Sequence, residues 1–137
     1  MILVDSNVWS ELMRPSPDGC VRQWESENGR LLWLSTVVIG ELLSGIELLP
    51  NGKRKSALQA GYSNLLETYA DRIAAFDLEA SRRYALVVAQ QIKAGRDPGT
   101  ADSQIAATAL ARGMKLATRN TKHFAGLGLA LIDPWTA

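Results

Sequence analysis

The chain has 137 residues, 47% of them hydrophobic and 21% charged, with a formal net charge of +1. This length suits one domain with one core, and the composition excludes a disordered or coiled-coil chain. A single cysteine, Cys20, excludes an intramolecular disulfide framework and a cysteine-cluster zinc site, and the near-zero charge excludes a strongly basic nucleic-acid binder while leaving room for a local basic patch.

The opening run MILVD reads as a short buried strand over residues 1–5 that ends on a carboxylate, Asp5. A short helix follows with Ser6 as its N-cap, and the breakers RPSPDG from Arg14 to Gly19 stop it. CVRQWESEN is a second helix closed by Gly29, and LLWLS at Leu31–Ser35 is a strand that hands over at Ser35/Thr36 to a helix ending near Pro50. KRKSALQAGYSNLLETYAD is a long helix, IAAF a strand, and LEASRRYALVVAQQIKAG a helix with Gly95 just past its end. TADSQIAATALARG is a helix capped by Thr100, MKLAT a strand and LALID a last strand. No Lys/Arg-led apolar segment opens the chain and no apolar run is long enough to span a bilayer, so a soluble cytoplasmic protein without a membrane partner is expected.

Strands alternate with helices, and the strands are continuous apolar runs. That pattern predicts an α/β fold: a single-domain parallel sheet of four to five strands sandwiched by helices, over residues 1–137. In such sheets the ligand crevice lies beyond the carboxyl ends of the strands, where strand order reverses. Asp5 sits at such an end, and a carboxylate there needs a partner, because burying an isolated charge is costly.

Three other residues can join it. Glu41 lies off the apolar stripe Val38, Ile39, Leu42, Leu43, Ile46 and Leu49, about a turn and a half into its helix; alone it reads as a surface glutamate. Asp102 falls in the first turn of its helix, where acids oppose the dipole, yet it continues the inward stripe of Ile105, Ala106 and Ala109. Asn120 follows the strand MKLAT, where a turn asparagine is the commoner explanation, although Thr118 and Asn120 would project beyond the same edge as Asp5. Three carboxylates and a carboxamide gathered there repel unless a cation sits among them, and hard oxygen ligands suit Mg²⁺ or Mn²⁺. Removing one of these like charges is expected to leave stability unchanged or raised.

MILVDSNVWSEL, STVVIGELLSGI, ADSQIAATALARGMKLATRN and LALIDPW, in that order, resemble the successive motifs of PIN-domain ribonucleases, and among them the VapC-type toxins of the FitB-like branch. The resemblance covers nearly the whole chain. It implies a Mg²⁺- or Mn²⁺-dependent RNA endonuclease, usually a homodimer. It also implies a small VapB/FitA-type antitoxin whose tail lies in the active-site groove, with higher assemblies that reach operator DNA only through the antitoxin. Carried over by position, Asp5, Glu41 and Asp102 match the family's three acids, with Asp5 and Asp102 as metal ligands and Glu41 holding metal or its water. The fourth acidic position falls on Asn120, which puts a second, tightly held metal in doubt; Ser6 and Thr118 fall beside the acids as hydrogen-bonding support.

Rival readings have less behind them. A haloacid-dehalogenase-like phosphatase needs a second acid two positions after its nucleophilic aspartate, and that position is Asn7. A binding module without turnover would need no acids, and these are intact. His123, the only histidine, lacks a G-x-S-x-G nucleophile elbow and reads as a surface residue within reach of RNA phosphate. Arg112, Lys115, Arg119 and Lys122 crowd one quarter of the chain; as a crevice rim they would draw in RNA, otherwise they are a solvated face. Of the four tryptophans, Trp9, Trp24, Trp33 and Trp135, core roles are the commoner expectation. Surplus apolar residues after Ser35, such as Val37 and Leu48, would suit a groove for an antitoxin helix.

Overall fold

The computed structural model describes residues 1–137. Five parallel strands, β1 (Ile2–Val4), β2 (Leu32–Ser35), β3 (Ile73–Ala74), β4 (Lys115–Ala117) and β5 (Leu131–Ile132), form one sheet in the order β3-β2-β1-β4-β5. Six helices flank it: α1 (Ser6–Leu12), α2 (Gly19–Asn28), α3 (Thr36–Glu47), α4 (Lys53–Thr68), α5 (Leu78–Lys93) and α6 (Thr100–Arg112). Short 3₁₀ turns at Gly29–Leu31 and Thr121–Phe124 complete the path. No helix is long and apolar enough to cross a membrane.

β1 is apolar throughout because it is central. Ile2, Leu3 and Val4 pair with Leu32, Trp33 and Leu34 on one side and with Lys115, Leu116 and Ala117 on the other. Leu3, Val4, Leu32, Leu34 and Leu116 are fully buried, each worth about 1.5–3 kcal/mol by removal from water. The edge strands β3 and β5 have two residues each, which leaves little open ladder for another chain to join. IAAF and LALID are therefore shorter strands than their apolar runs suggested, because edge positions lack a second ladder.

The chain runs outward from β1 to β2 and β3, then returns to place β4 on the other side of β1. The switch in strand order thus falls at the β1/β4 seam, directly after which stand Asp5 and Thr118. Local chemistry aims the helices at that seam. Ser35 accepts the Val37 N–H at 3.1 Å and starts α3, while Thr36 Oγ1 accepts the Phe76 N–H at 3.1 Å and ties α3 to the end of β3. At α6, Gly99 holds φ +54°, a left-handed conformation that favours glycine, and Ser103 bonds back to the Pro98 carbonyl. Gly99 is the residue preceding the first helical residue, so Thr100 opens α6 instead of capping it. Ser6 likewise opens α1, whose N-cap is Asp5.

Candidate active site

Asp5 is 3% exposed and every oxygen is engaged. Oδ1 accepts the Ser6 N–H at 2.8 Å; Oδ2 accepts the Thr118 hydroxyl at 2.8 Å and the Asn7 amide at 3.2 Å. Its own N–H donates to the Ala117 carbonyl at 2.9 Å, which extends the seam by one residue. Asn7 is the second hub: Nδ2 also reaches Thr118 Oγ1 at 3.3 Å, and Oδ1 accepts the Arg119 N–H at 3.2 Å.

Burial drives the Asp5 carboxyl above its ordinary range, and the charge of Asp102 pushes the same way. Hydrogen bonds from Thr118 and Ser6 oppose the rise without cancelling it. Desolvation and repulsion therefore outweigh bonds that, for a charged acceptor, are each worth about 1.5–3 kcal/mol. Glu41, exposed on α3, is raised by desolvation first, then by the charges of Asp5 and Asp102, with Ser6 lowering it. The three carboxylates expected from the sequence thus come within electrostatic reach of one another, from just past the end of β1, the middle of α3 and the first turn of α6. Asp102 is half-buried, and its Oδ2 lies 3.3 Å from His123 Nδ1.

Asn120 is placed differently from the acids. Its side chain is exposed and makes no hydrogen bond, while its N–H donates to Thr118 Oγ1 at 3.1 Å and its carbonyl accepts the His123 N–H. The carboxamide woven into the acid network is Asn7. The acid donors are hard oxygens, and a cation would offset the desolvation and the like-charge repulsion that raise Asp5 and Glu41, so these residues fit a hard divalent ion. No three acid, histidine or cysteine side chains stand close enough together to hold an ion by themselves. An ion that keeps several waters suits such an open set.

A PIN-domain family model matches residues 2–128. The chain belongs to the PIN-domain family. The VapC ribonuclease Y4jK of Sinorhizobium fredii is 42% identical, with 98% of each chain covered. Toxin FitB of Neisseria gonorrhoeae is 36% identical over 98% of this chain and 99% of its own. The crystal structure of FitAcB from Neisseria gonorrhoeae superposes with a TM-score of 0.89 at 35% identity, covering 100% of both chains.

Beside the acids this PIN domain opens a groove of about 800 Å³ between α1, α3 and α4, with Ser6, Asn7 and Glu41 at the acidic end. Its apolar lining is Met13, Leu42, Ile46, Leu49, Leu58 and Trp135, not the surplus residues Val37 and Leu48; Leu48 is 86% exposed. Of the four basic residues crowded late in the chain, only Arg119 lines this groove. Arg112 lies 5.9 Å from the Trp33 ring, and Lys115 starts β4 opposite Ile2, at the amino edge of the sheet, away from the acids. Arg14 and Arg54 replace them, delivered by the end of α1 and the start of α4. Nothing in the sequence pattern ties these two to Asp5; only their distant elements meeting does. Trp9 and Trp24 are core residues, whereas Trp135 lines the groove.

Proposed function

We propose that this chain is the toxin of a bacterial type II toxin–antitoxin pair and acts in the cytoplasm as a Mg²⁺- or Mn²⁺-dependent endoribonuclease. It is one PIN-like domain over residues 1–137 and works as a homodimer. A small VapB/FitA-type antitoxin silences it, assembles with it further, and provides its only route to operator DNA. Relatives named as a VapC ribonuclease and as toxin FitB, aligned end to end, support this reading.

The observation that carries it is the gathering of Asp5, Glu41 and Asp102 beyond the β1/β4 seam, close enough that the charge of Asp102 acts on Asp5 and the charges of both act on Glu41. Asp5 and Asp102 would hold the ion, and Glu41 would hold the ion or orient the attacking water and accept its proton. Ser6 and Thr118 keep the Asp5 carboxylate in one rotamer, and Asn120 stands in the fourth position as a neutral oxygen. A divalent ion bound there supplies positive charge for an in-line displacement at phosphorus and an acidified water. Arg119 and Arg54 offset the repulsion between the RNA backbone and the acids.

The deciding experiment is Mn²⁺-dependent cleavage of a diverse RNA pool, mapped by sequencing, with Asp5→Asn as control. Discrete cut sites for the wild type and none for the variant are expected. A second reading, a PIN-fold binding module without turnover, draws on the neutral Asn120 and the open acid set. Absence of cleavage across the pool, with normal growth on expression of abundant protein, would favour it.

A further inference from the structure

Three arginines line the groove, and their anchoring differs. Arg14 leans on Glu11, 3.4 Å away, and Arg54 stands in the first turn of α4 with no partner. Arg119 is held at two points and has no carboxylate partner. Its peptide N–H is fixed by Asn7 Oδ1, the residue that also donates to Asp5, and its guanidinium lies 4.7 Å from the centroid of the Trp135 ring. Trp135 is itself set by a tight C-terminal turn: its N–H donates to Asp133 Oδ1 at 2.9 Å, and the N–H groups of Thr136 and Ala137 donate to the Asp133 carbonyl.

The Arg119 guanidinium lies over the Trp135 ring and makes no hydrogen bond or ion pair within the chain, so its N–H fork is free. That fork matches two oxygens of a phosphate. Arg119 is therefore a preorganised cation beside the acids, one residue past Thr118 and joined to Asp5 through Asn7. We propose that Arg119 and Trp135 form a phosphate clamp that seats the RNA backbone next to the cleaved linkage. In it Arg119 makes the contact and Trp135 is the positioning residue. This rests on the endoribonuclease reading for its ligand class.

The test is binding of a fluorescein-labelled mixed-sequence single-stranded RNA to the full-length Asp102→Asn chain in EDTA, by anisotropy over a range of salt, with wild-type cleavage in Mn²⁺ run in parallel. Arg119→Ala should weaken binding about tenfold and lower the salt slope by about one. Arg119→Lys should keep most of the slope but lose affinity, because a point charge cannot replace the fork. Trp135→Ala should weaken binding several-fold, Trp135→Phe should restore it, and the Trp135→Ala/Arg119→Ala pair should bind no worse than Arg119→Ala alone.

Unchanged affinity and slope for Arg119→Ala would overturn the clamp; unchanged RNA binding with loss of antitoxin capture would assign Arg119 to the protein partner. Additive losses in the double variant would make Trp135 a base-stacking platform and overturn its positioning role. If Trp135→Ala fails to fold, Trp135→Phe and the two Arg119 variants still decide the contact. If the wild type never cleaves RNA in Mn²⁺, loss of RNA binding on Arg119→Ala would sink the nuclease reading and keep the clamp, whereas no RNA binding by the Asp102→Asn parent would end both.

Discussion

The Thr118 hydroxyl donates to Asp5 Oδ2 at 2.8 Å across the β1/β4 seam, a contact between residues 113 positions apart. It makes Asp5 a structural hub as well as a candidate ligand, and so alters what its replacement should do.

Asp5→Ala removes the cap of α1 and the acceptor for the buried Thr118 hydroxyl and the Asn7 amide. The structure therefore predicts destabilisation by about 1–3 kcal/mol, where like-charge relief alone suggested none. Asp5→Asn keeps an acceptor for Ser6 and should stay within about 1 kcal/mol of wild type. Both should abolish RNA cleavage. Urea melts in EDTA separate the two variants; equal melting of Asp5→Ala and wild type would show that the hydrogen bonds carry no net stability.

Asp102→Asn should fold as the wild type does, because Asp102 is half-buried and its one side-chain hydrogen-bond partner is the exposed His123. Cleavage with Mg²⁺ or Mn²⁺ should nevertheless disappear. Circular dichroism together with the RNA-pool assay checks this, and wild-type cleavage by the variant would remove Asp102 from the site.

The raised carboxyls of Asp5 and Glu41 make metal-free stability depend on pH. In the folded chain these groups keep protons that the unfolded chain has already lost. Stability should thus fall as pH rises from the ordinary carboxylate range through the raised folded values, then level off. Asp5 should dominate, since Glu41 is exposed and screened by solvent. The unfolding free energy of Asp5→Asn minus that of wild type, measured from about pH 4 to pH 7 in EDTA, should rise with pH. A flat difference would contradict the assignment.

Asn120→Asp concerns the number of ions. With Asp5, Glu41 and Asp102 ionised, one divalent ion leaves the cluster near −1 and a second near +1, by simple counting of three negative charges. The free wild type should bind one ion, with a second recruited only alongside RNA. Asn120→Asp should strengthen the second position and lower the metal concentration for half-maximal activity. The Asn120 side chain has no hydrogen bond to lose, so the fold should be untouched. Calorimetric titration of RNA-free protein reads this directly; two tight sites in the wild type would reject it.

The sequence by itself determined the order of elements and the class of sheet, because burial on both faces leaves continuous apolar runs such as MILV and LLWL, and capping-type residues mark to within one position where helices begin. It also singled out Asp5, since a carboxylate at the end of a buried run is costly and conspicuous, and Asp102, an acid that continues an inward stripe, while family likeness set Glu41 and Asn120 beside them. What tertiary structure alone decided was the company these residues keep. Asn7 as the bridging carboxamide, His123 against Asp102, Arg14 and Arg54 on the groove and the Arg119–Trp135 stack all join segments remote in sequence. Their meeting depends on strand order, which places β4 beside β1 and closes the C-terminal turn against the groove. Periodicity reports which way a residue faces along its own helix or strand, whereas pairing across a seam is set by how the elements stack.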